Sequence, residues 1–167
     1  SFRSVYSDIL GKYNNREGIV IDTRFNGGGR LHEDIEILFS GKKYFTQVVR
    51  GREACDMPSR RWNKPSIMVQ CEANYSNAHG TPWVYSHQKI GKLVGMPVPG
   101  TMTSVSWETL QDPTLVFGYR LPDGSYLENS QLEPDIKVAN SPETVVKGED
   151  TQLKAAVDEL LKEIDGK

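Results

Sequence analysis

Cysteine is scarce in this chain: Cys55 and Cys71 are the two in 167 residues, and they stand outside any CxxC spacing. That excludes a paired-cysteine metal knuckle and a disulfide-built scaffold, while leaving one bridge between the two open. Neither sign of charge is in excess. Twenty Lys+Arg face 22 Asp+Glu, for a net charge of −2 and a pI near 5.9. The balance argues against nucleic acid or an anionic membrane as partner. No apolar run approaches the roughly 18 residues of a membrane span. Repeats, low-complexity tracts and a signal-peptide pattern are also missing, and nothing calls for a metal or a cofactor.

What is present is ordinary for a globular domain: 37% hydrophobic and 25% charged residues. The length suits one domain, residues 1–167, with a real core. The chain opens without Met, directly into a helical pattern, and so reads as a piece of a longer protein. Phe2, Val5, Tyr6, Ile9, Leu10 and Tyr13 fall at helical spacing. Short β-branched runs at 19–21, 44–49, 66–71, 94–98 and 135–138 predict strands. Residues 31–41, 82–93 and the segment after Asp150 predict helices, with Asp150 as a cap. Residues 51–64, carrying Arg52, Arg60 and Arg61, read as a loop. Pro122-Asp123-Gly124 signals a hairpin turn. Alternating strands and helices imply an α/β fold with a mainly parallel sheet.

The most informative string is GIVIDTRFNGGG, Gly18 to Gly29. Three consecutive glycines give up packing and raise the entropy cost of ordering the backbone. A strand, glycine turn and helix can present backbone N–H groups to an anion. The string is neither GxGxxG nor a Walker loop, which disfavours a nucleotide. A plain tight turn remains an alternative.

A second segment, SIMVQCEANYSNAHG, repeats the plan of strand, sharp turn and helix. Ser76 falls where a serine would project from a nucleophile elbow, although GxSxG is absent. The N–H of Asn77 could then be one oxyanion donor and an amide of the glycine turn another. Ser76 taken alone reads as a polar turn or helix-cap serine.

Together the segments resemble the tail-specific, or C-terminal processing, serine peptidases, most closely their tricorn protease branch. The resemblance rests on four ordered motifs. Asp22-Thr23-Arg24-Phe25-Asn26-Gly27-Gly28-Gly29 resembles DxRxNGGG. The turn Asn74 to Gly80 lies at the nucleophile position. Glu128, with Glu133-Pro134-Asp135-Ile136-Lys137-Val138 after it, resembles ExxxxxPDIxV, and Gly148 to Leu153 resembles a closing GxDxQL signature.

The resemblance implies a Clp protease/crotonase-like core. It implies a serine endopeptidase acting on peptides or unfolded proteins, with Ser76 as nucleophile. The amides of Gly28 and Asn77 would form the oxyanion hole, with Gly27 the alternative donor. Glu128 would support the base through a bridging serine. A homo-oligomer and accessory domains upstream would accompany it.

Two departures qualify this. The processing peptidases use a lysine about 25 residues after the serine, where this chain reads Val98-Pro99-Gly100-Thr101-Met102-Thr103-Ser104. Lys89 and Lys92 fall on the intervening helix. The tricorn branch takes a histidine from an upstream segment, so the expectation is a base supplied from outside this chain and a fragment of weak activity. Of the resident histidines, His79 and His32 are candidate substitutes, and His87 reads as surface or packing. Glu128 could be a plain surface charge. Arg52, Arg60 and Arg61 read as solvated, with a substrate carboxylate as the alternative, and Trp83 and Trp107 read as core. The competing functions are a catalytically impaired peptide-binding domain and acyl-thioester chemistry on the same fold.

Overall fold

The run Ser66–Gln70 (β4) is buried at every position, and a sheet is built around it. In the computed structural model, which describes residues 2–105 and 115–166, β4 lies between Ile19–Asp22 (β1) and Leu93–Gly95 (β5). Ile136–Lys137 (β8) completes the order β1-β4-β5-β8, and every pairing is parallel. Side chains alternate across a strand. Ile67, Val69 and Val94 therefore pack on one face against Ala156 and Leu160 of the closing helix Thr151–Asp165 (α5). Met68 and Leu93 face the other way, toward Leu38, Phe39, Trp62 and Tyr85.

That second face is covered by three helical elements: Phe2–Ser7 (α1), running on into a wider turn at Asp8–Lys12; His32–Phe39 (α2); and Asn77–His87 (α3). The expected helices at 2–14 and 31–41 are thus present within a few residues. Two short elements, Ser104–Val105 (β6) and Leu115–Phe117 (β7), pair antiparallel, and a short helix Pro142–Val146 (α4) precedes α5. The 122–124 turn closes between Leu121 and Ser125, with an antiparallel bridge Arg120–Tyr126. Trp107 lies outside the described residues.

Two expectations need correction. Residues 52–57 are a strand (β3, Arg52–Met57), not loop, paired antiparallel with Phe45–Val49 (β2). Both faces of this ribbon are largely exposed, so no hydrophobic alternation marks it. Arg52, Arg60 and Arg61 are all exposed. The helix expected from Pro82 starts at Asn77 and ends at His87. Proline favours a helix start, but here it sits inside one. It cannot donate to the carbonyl four residues back, that of Ala78. The Asn74 Nδ2 donates to that carbonyl instead, at 3.2 Å. The pairing of Cys55 and Cys71, left open by the sequence, is decided: both are free, one exposed and one buried. Among the described residues no helix is long and apolar enough to cross a membrane.

Candidate active site

Parallel pairing sets the position of the site. The register Asp22↔Val69 brings the carboxyl ends of β1 and β4 to one edge of the sheet. Ligands of open α/β sheets bind in the crevice outside such ends. The turns leaving the two strands, 23–31 and 71–76, meet there. They are joined where the Tyr75 N–H donates to the Asn26 carbonyl at 3.0 Å.

Ser76 sits at the N-terminus of α3 with φ +56 and ψ −125. A side chain tolerates this positive-φ region only when its surroundings impose it. The chain makes a sharp strand-to-helix turn here, the backbone geometry that a nucleophile elbow requires. The Ser76 N–H donates to Thr101 Oγ1 at 3.2 Å. Thr101 lies 25 residues after Ser76, within the lysine-free segment 98–104, and sequence reasoning did not single it out. The segment around it is held to the Glu128 region, because the Asn129 N–H donates to the Gly100 carbonyl at 2.8 Å.

Gly28 is the glycine that meets the serine. Its φ is +104, and a Cβ there would stand 2.8 Å from Ser76 Cβ and 3.1 Å from the Asn77 nitrogen. The Asn77 N–H, first in its helix, has no partner among the described residues. The Gly28 N–H is engaged: it donates to Asn26 Oδ1 at 2.8 Å. The neighbouring Gly27 amide has no partner among the described residues.

The side chain of Asn77 ties the second turn to α2. Its Oδ1 accepts the N–H groups of Leu31 and His32 at 3.1 and 3.2 Å, capping the start of that helix. This sets the amide's orientation, so Nδ2 donates to His32 Nδ1 at 2.6 Å. The neutral His32 proton therefore resides on Nε2. His87 stacks on the half-buried Trp83 with ring centroids 4.4 Å apart, as surface packing.

His79 is fully buried, and neither ring nitrogen has a hydrogen-bond partner among the described residues. Glu128 Oε2 is likewise buried and unpartnered. Burial pushes the His79 pKa below its ordinary value, and the negative charge of Glu128 partly opposes that shift. The His79 ring, three residues after Ser76 on α3, is thus a buried polar group without a hydrogen bond among the described residues.

The first and last motifs meet in an ion-pair network. Arg24 donates to Asp22 Oδ2 and to Asp150 Oδ2, both at 2.7 Å, and to Gln152 Oε1 at 3.1 Å. The guanidinium holds both carboxyl groups below the usual carboxylate range. Asp150 also caps α5 by accepting the Leu153 N–H at 2.9 Å. The DxR pair and the GxDxQ signature thus clamp α5 to the strand that delivers the glycine turn.

The family model of peptidase family S41 matches residues 1–138. The chain belongs to this family. A Sulfurisphaera tokodaii chain named as a tricorn-like protease C-terminal subunit is 29% identical over 99% of this chain and 20% of its own length. The tricorn protease of Thermoplasma acidophilum is 26% identical over 89% of this chain and 14% of its own. This S41 chain therefore spans about a fifth or less of the length of those relatives. The crystal structure of the tricorn protease matches with a TM-score of 0.77 at 25% identity, over 89% of this chain and 15% of that one. The photosystem II D1 C-terminal processing protease shares the fold, with a TM-score of 0.60 at 15% identity over 83% of this chain and 39% of that one. The expected fold class, an α/β core of this peptidase type, is the one observed.

Proposed function

We propose that residues 1–167 are the catalytic core of a serine endopeptidase that cleaves peptides or unfolded proteins by acyl transfer. The observation that carries the reading is Ser76 at φ +56, directly preceding the Asn77 amide, which has no partner among the described residues, and packed against Gly28. Ser76 Oγ attacks the peptide carbonyl and gives up its proton to a base. The carbonyl oxygen becomes an oxyanion held by the Asn77 N–H and an amide of the glycine turn. That second donor is Gly28 once Asn26 releases it, or Gly27 as it stands. The C–N bond then breaks, the amine leaves with the proton, and water hydrolyses the acyl-serine.

The base in this reading comes from polypeptide outside these residues, with Glu128 supporting it. The placement of the resident histidines supports that. His32 spends Nδ1 on Asn77, His79 is fully buried, and His87 stacks on Trp83. Without its base the serine keeps only weak nucleophilicity, so this chain alone is expected to turn over poorly.

One observation favours a second reading, a peptide-binding domain with impaired chemistry: the Gly28 N–H is already taken by Asn26. A fluorophosphonate probe applied to the full-length protein, which carries the base, separates the two. Labelling at Ser76, absent in Ser76→Ala, supports the peptidase. An unlabelled Ser76 in a chain that still binds peptide supports the binding domain.

A further inference from the structure

The first residue of α2, His32, carries a polar atom that the acyl-transfer steps leave unused. The ring is half-buried, and its two nitrogens differ in their surroundings. Asn77 Oδ1 already accepts the Leu31 and His32 N–H groups at 3.1 and 3.2 Å, so the carboxamide turns its Nδ2 to the ring. Nδ1 is then the acceptor of that 2.6 Å bond, and the neutral ring carries its proton on Nε2. Nε2 has no partner among the described residues, and it is not a buried atom. On another side the ring meets Tyr119 at nearly a right angle, with centroids 5.8 Å apart. One hydrogen bond and one ring contact hold the imidazole in place. The Nε2–H is thus a donor of set direction with no acceptor among the described residues.

We infer that the His32 Nε2–H binds the substrate, donating to a backbone carbonyl of an extended peptide near, but not at, the scissile bond. The inference rests on the peptidase reading for the identity of that ligand. Its position follows from the two neighbours of the ring. Asn77, which grips Nδ1, supplies the oxyanion amide of the proposed reaction. Tyr119 leads to Glu128, because its carbonyl accepts the Leu127 N–H at 3.2 Å. His32 therefore stands between the serine turn and the segment that carries Glu128. A peptide held at Ser76 passes that point, and a backbone carbonyl is the acceptor that every substrate brings there. The bonded carbonyl is not the one that reacts, so the contact is equal in the ground state and the transition state. It lowers KM and leaves kcat unchanged.

Two variants of the full-length protein separate this role from the brace on Asn77. His32→Asn keeps an acceptor where Nδ1 lies and removes the Nε2–H. His32→Gln keeps a donor near Nε2 and removes the acceptor. The expected result for His32→Asn is a KM for peptides raised by about tenfold, one hydrogen bond's worth, with kcat nearly held. Labelling of Ser76 by a small fluorophosphonate, which has no peptide backbone to reach His32, should change by less than about twofold. In His32→Gln the KM should return to within about threefold of wild type. A measurement on the unmutated chain avoids any question of misfolding. Nuclear magnetic resonance of the His32 ring nitrogens should show the Nε2–H form, and N-acetyl-trialanine amide should shift that nitrogen and its proton.

An unchanged KM in His32→Asn overturns the inference while the peptidase reading stands. So does a loss of labelling as large as the loss of peptide cleavage, which would make His32 a brace for the serine turn and nothing more. A proton found on Nδ1, or an Nε2 signal indifferent to the peptide, overturns it as well. If Ser76 neither labels nor cleaves, the peptidase reading fails by itself. A peptide-induced shift at Nε2 then still upholds a backbone donor in a peptide-binding domain, and its absence removes that too.

Discussion

Gly28 is packed so closely on Ser76 that a Cβ on the glycine would lie 2.8 Å from that of the serine and 2.9 Å from the Tyr75 carbonyl oxygen. A side chain there meets backbone on one side and the candidate nucleophile on the other. It must also adopt φ +104, which only glycine does without strain. Gly28→Ala is therefore expected to cost about 1–3 kcal/mol in denaturant-melt stability. It should also displace the serine turn, lowering the fluorophosphonate labelling rate of Ser76 by about a hundredfold. Unchanged labelling would show that the close approach has no part in activating the serine.

Asn77 has two separable roles. Its backbone amide faces Gly28, whereas its side chain caps α2 and holds His32. Asn77→Ala keeps the amide and removes the cap. A stability loss of about 1–2 kcal/mol is expected, with Ser76 still labelled, more slowly, because the loosened α2 frees the glycine turn. Chemical denaturation and mass-spectrometric labelling measure the two effects independently.

The buried His79 makes stability pH-dependent. Its folded pKa lies below the unfolded value near 6.5, so between those two values the unfolded chain binds the extra proton. Stability is therefore full above about pH 6.5 and falls as pH drops from there toward the folded pKa. His79→Phe should flatten that part of the profile, as read by urea melts at pH 7.5, 6.5 and 5.5 chosen around the reference value of about 6.5. Retention of the slope in His79→Phe would assign it to another group.

The Arg24 clamp acts in more acid solution. Asp22 and Asp150 both have folded pKa values below the ordinary 3.8, so their contribution is complete above that pH and is lost as pH falls below it. Asp150→Ala removes a helix cap and leaves Arg24 with Asp22 alone, for an expected loss of about 2 kcal/mol at neutral pH. Asp150→Asn keeps a capping oxygen and should lose less. Equal losses in the two variants would show that charge, not capping, is the larger effect.

Thr101 offers a narrower check. Thr101→Val removes the acceptor of the Ser76 N–H at nearly constant volume. The expected cost is about 1 kcal/mol, with a measurable drop in Ser76 labelling as the turn loses its brace. A labelling rate equal to wild type would make Thr101 a packing residue only.

Local chemistry made much of this architecture legible. Ile19-Val20-Ile21 and Ser66 to Gln70 are β-rich and short, and both form parallel strands. Asp150 followed by an apolar helical face marked the closing helix and its cap. The β2–β3 ribbon was not legible, since both of its faces are largely exposed and exposed strands show no alternation. The start of α3 was misplaced for a different reason. The carbonyl left over by Pro82 is satisfied by Asn74, a contact that no residue spacing announces.

The same division runs through the site. Order along the chain was enough to mark the glycine turn, the serine turn, Glu128 and the Asp150 signature, because each is a local pattern of residue types. Their distances were decided by the fold. Parallel pairing of β1 with β4 brings the two turns together, Arg24 joins the first motif to the last, and burial leaves both His79 ring nitrogens and Glu128 Oε2 without a partner among the described residues. It also revealed that the Gly28 amide is held by Asn26 and that Thr101 braces the serine. Residue types are read one position at a time. A hydrogen bond or a void belongs to pairs far apart in sequence, so only the packed chain contains it.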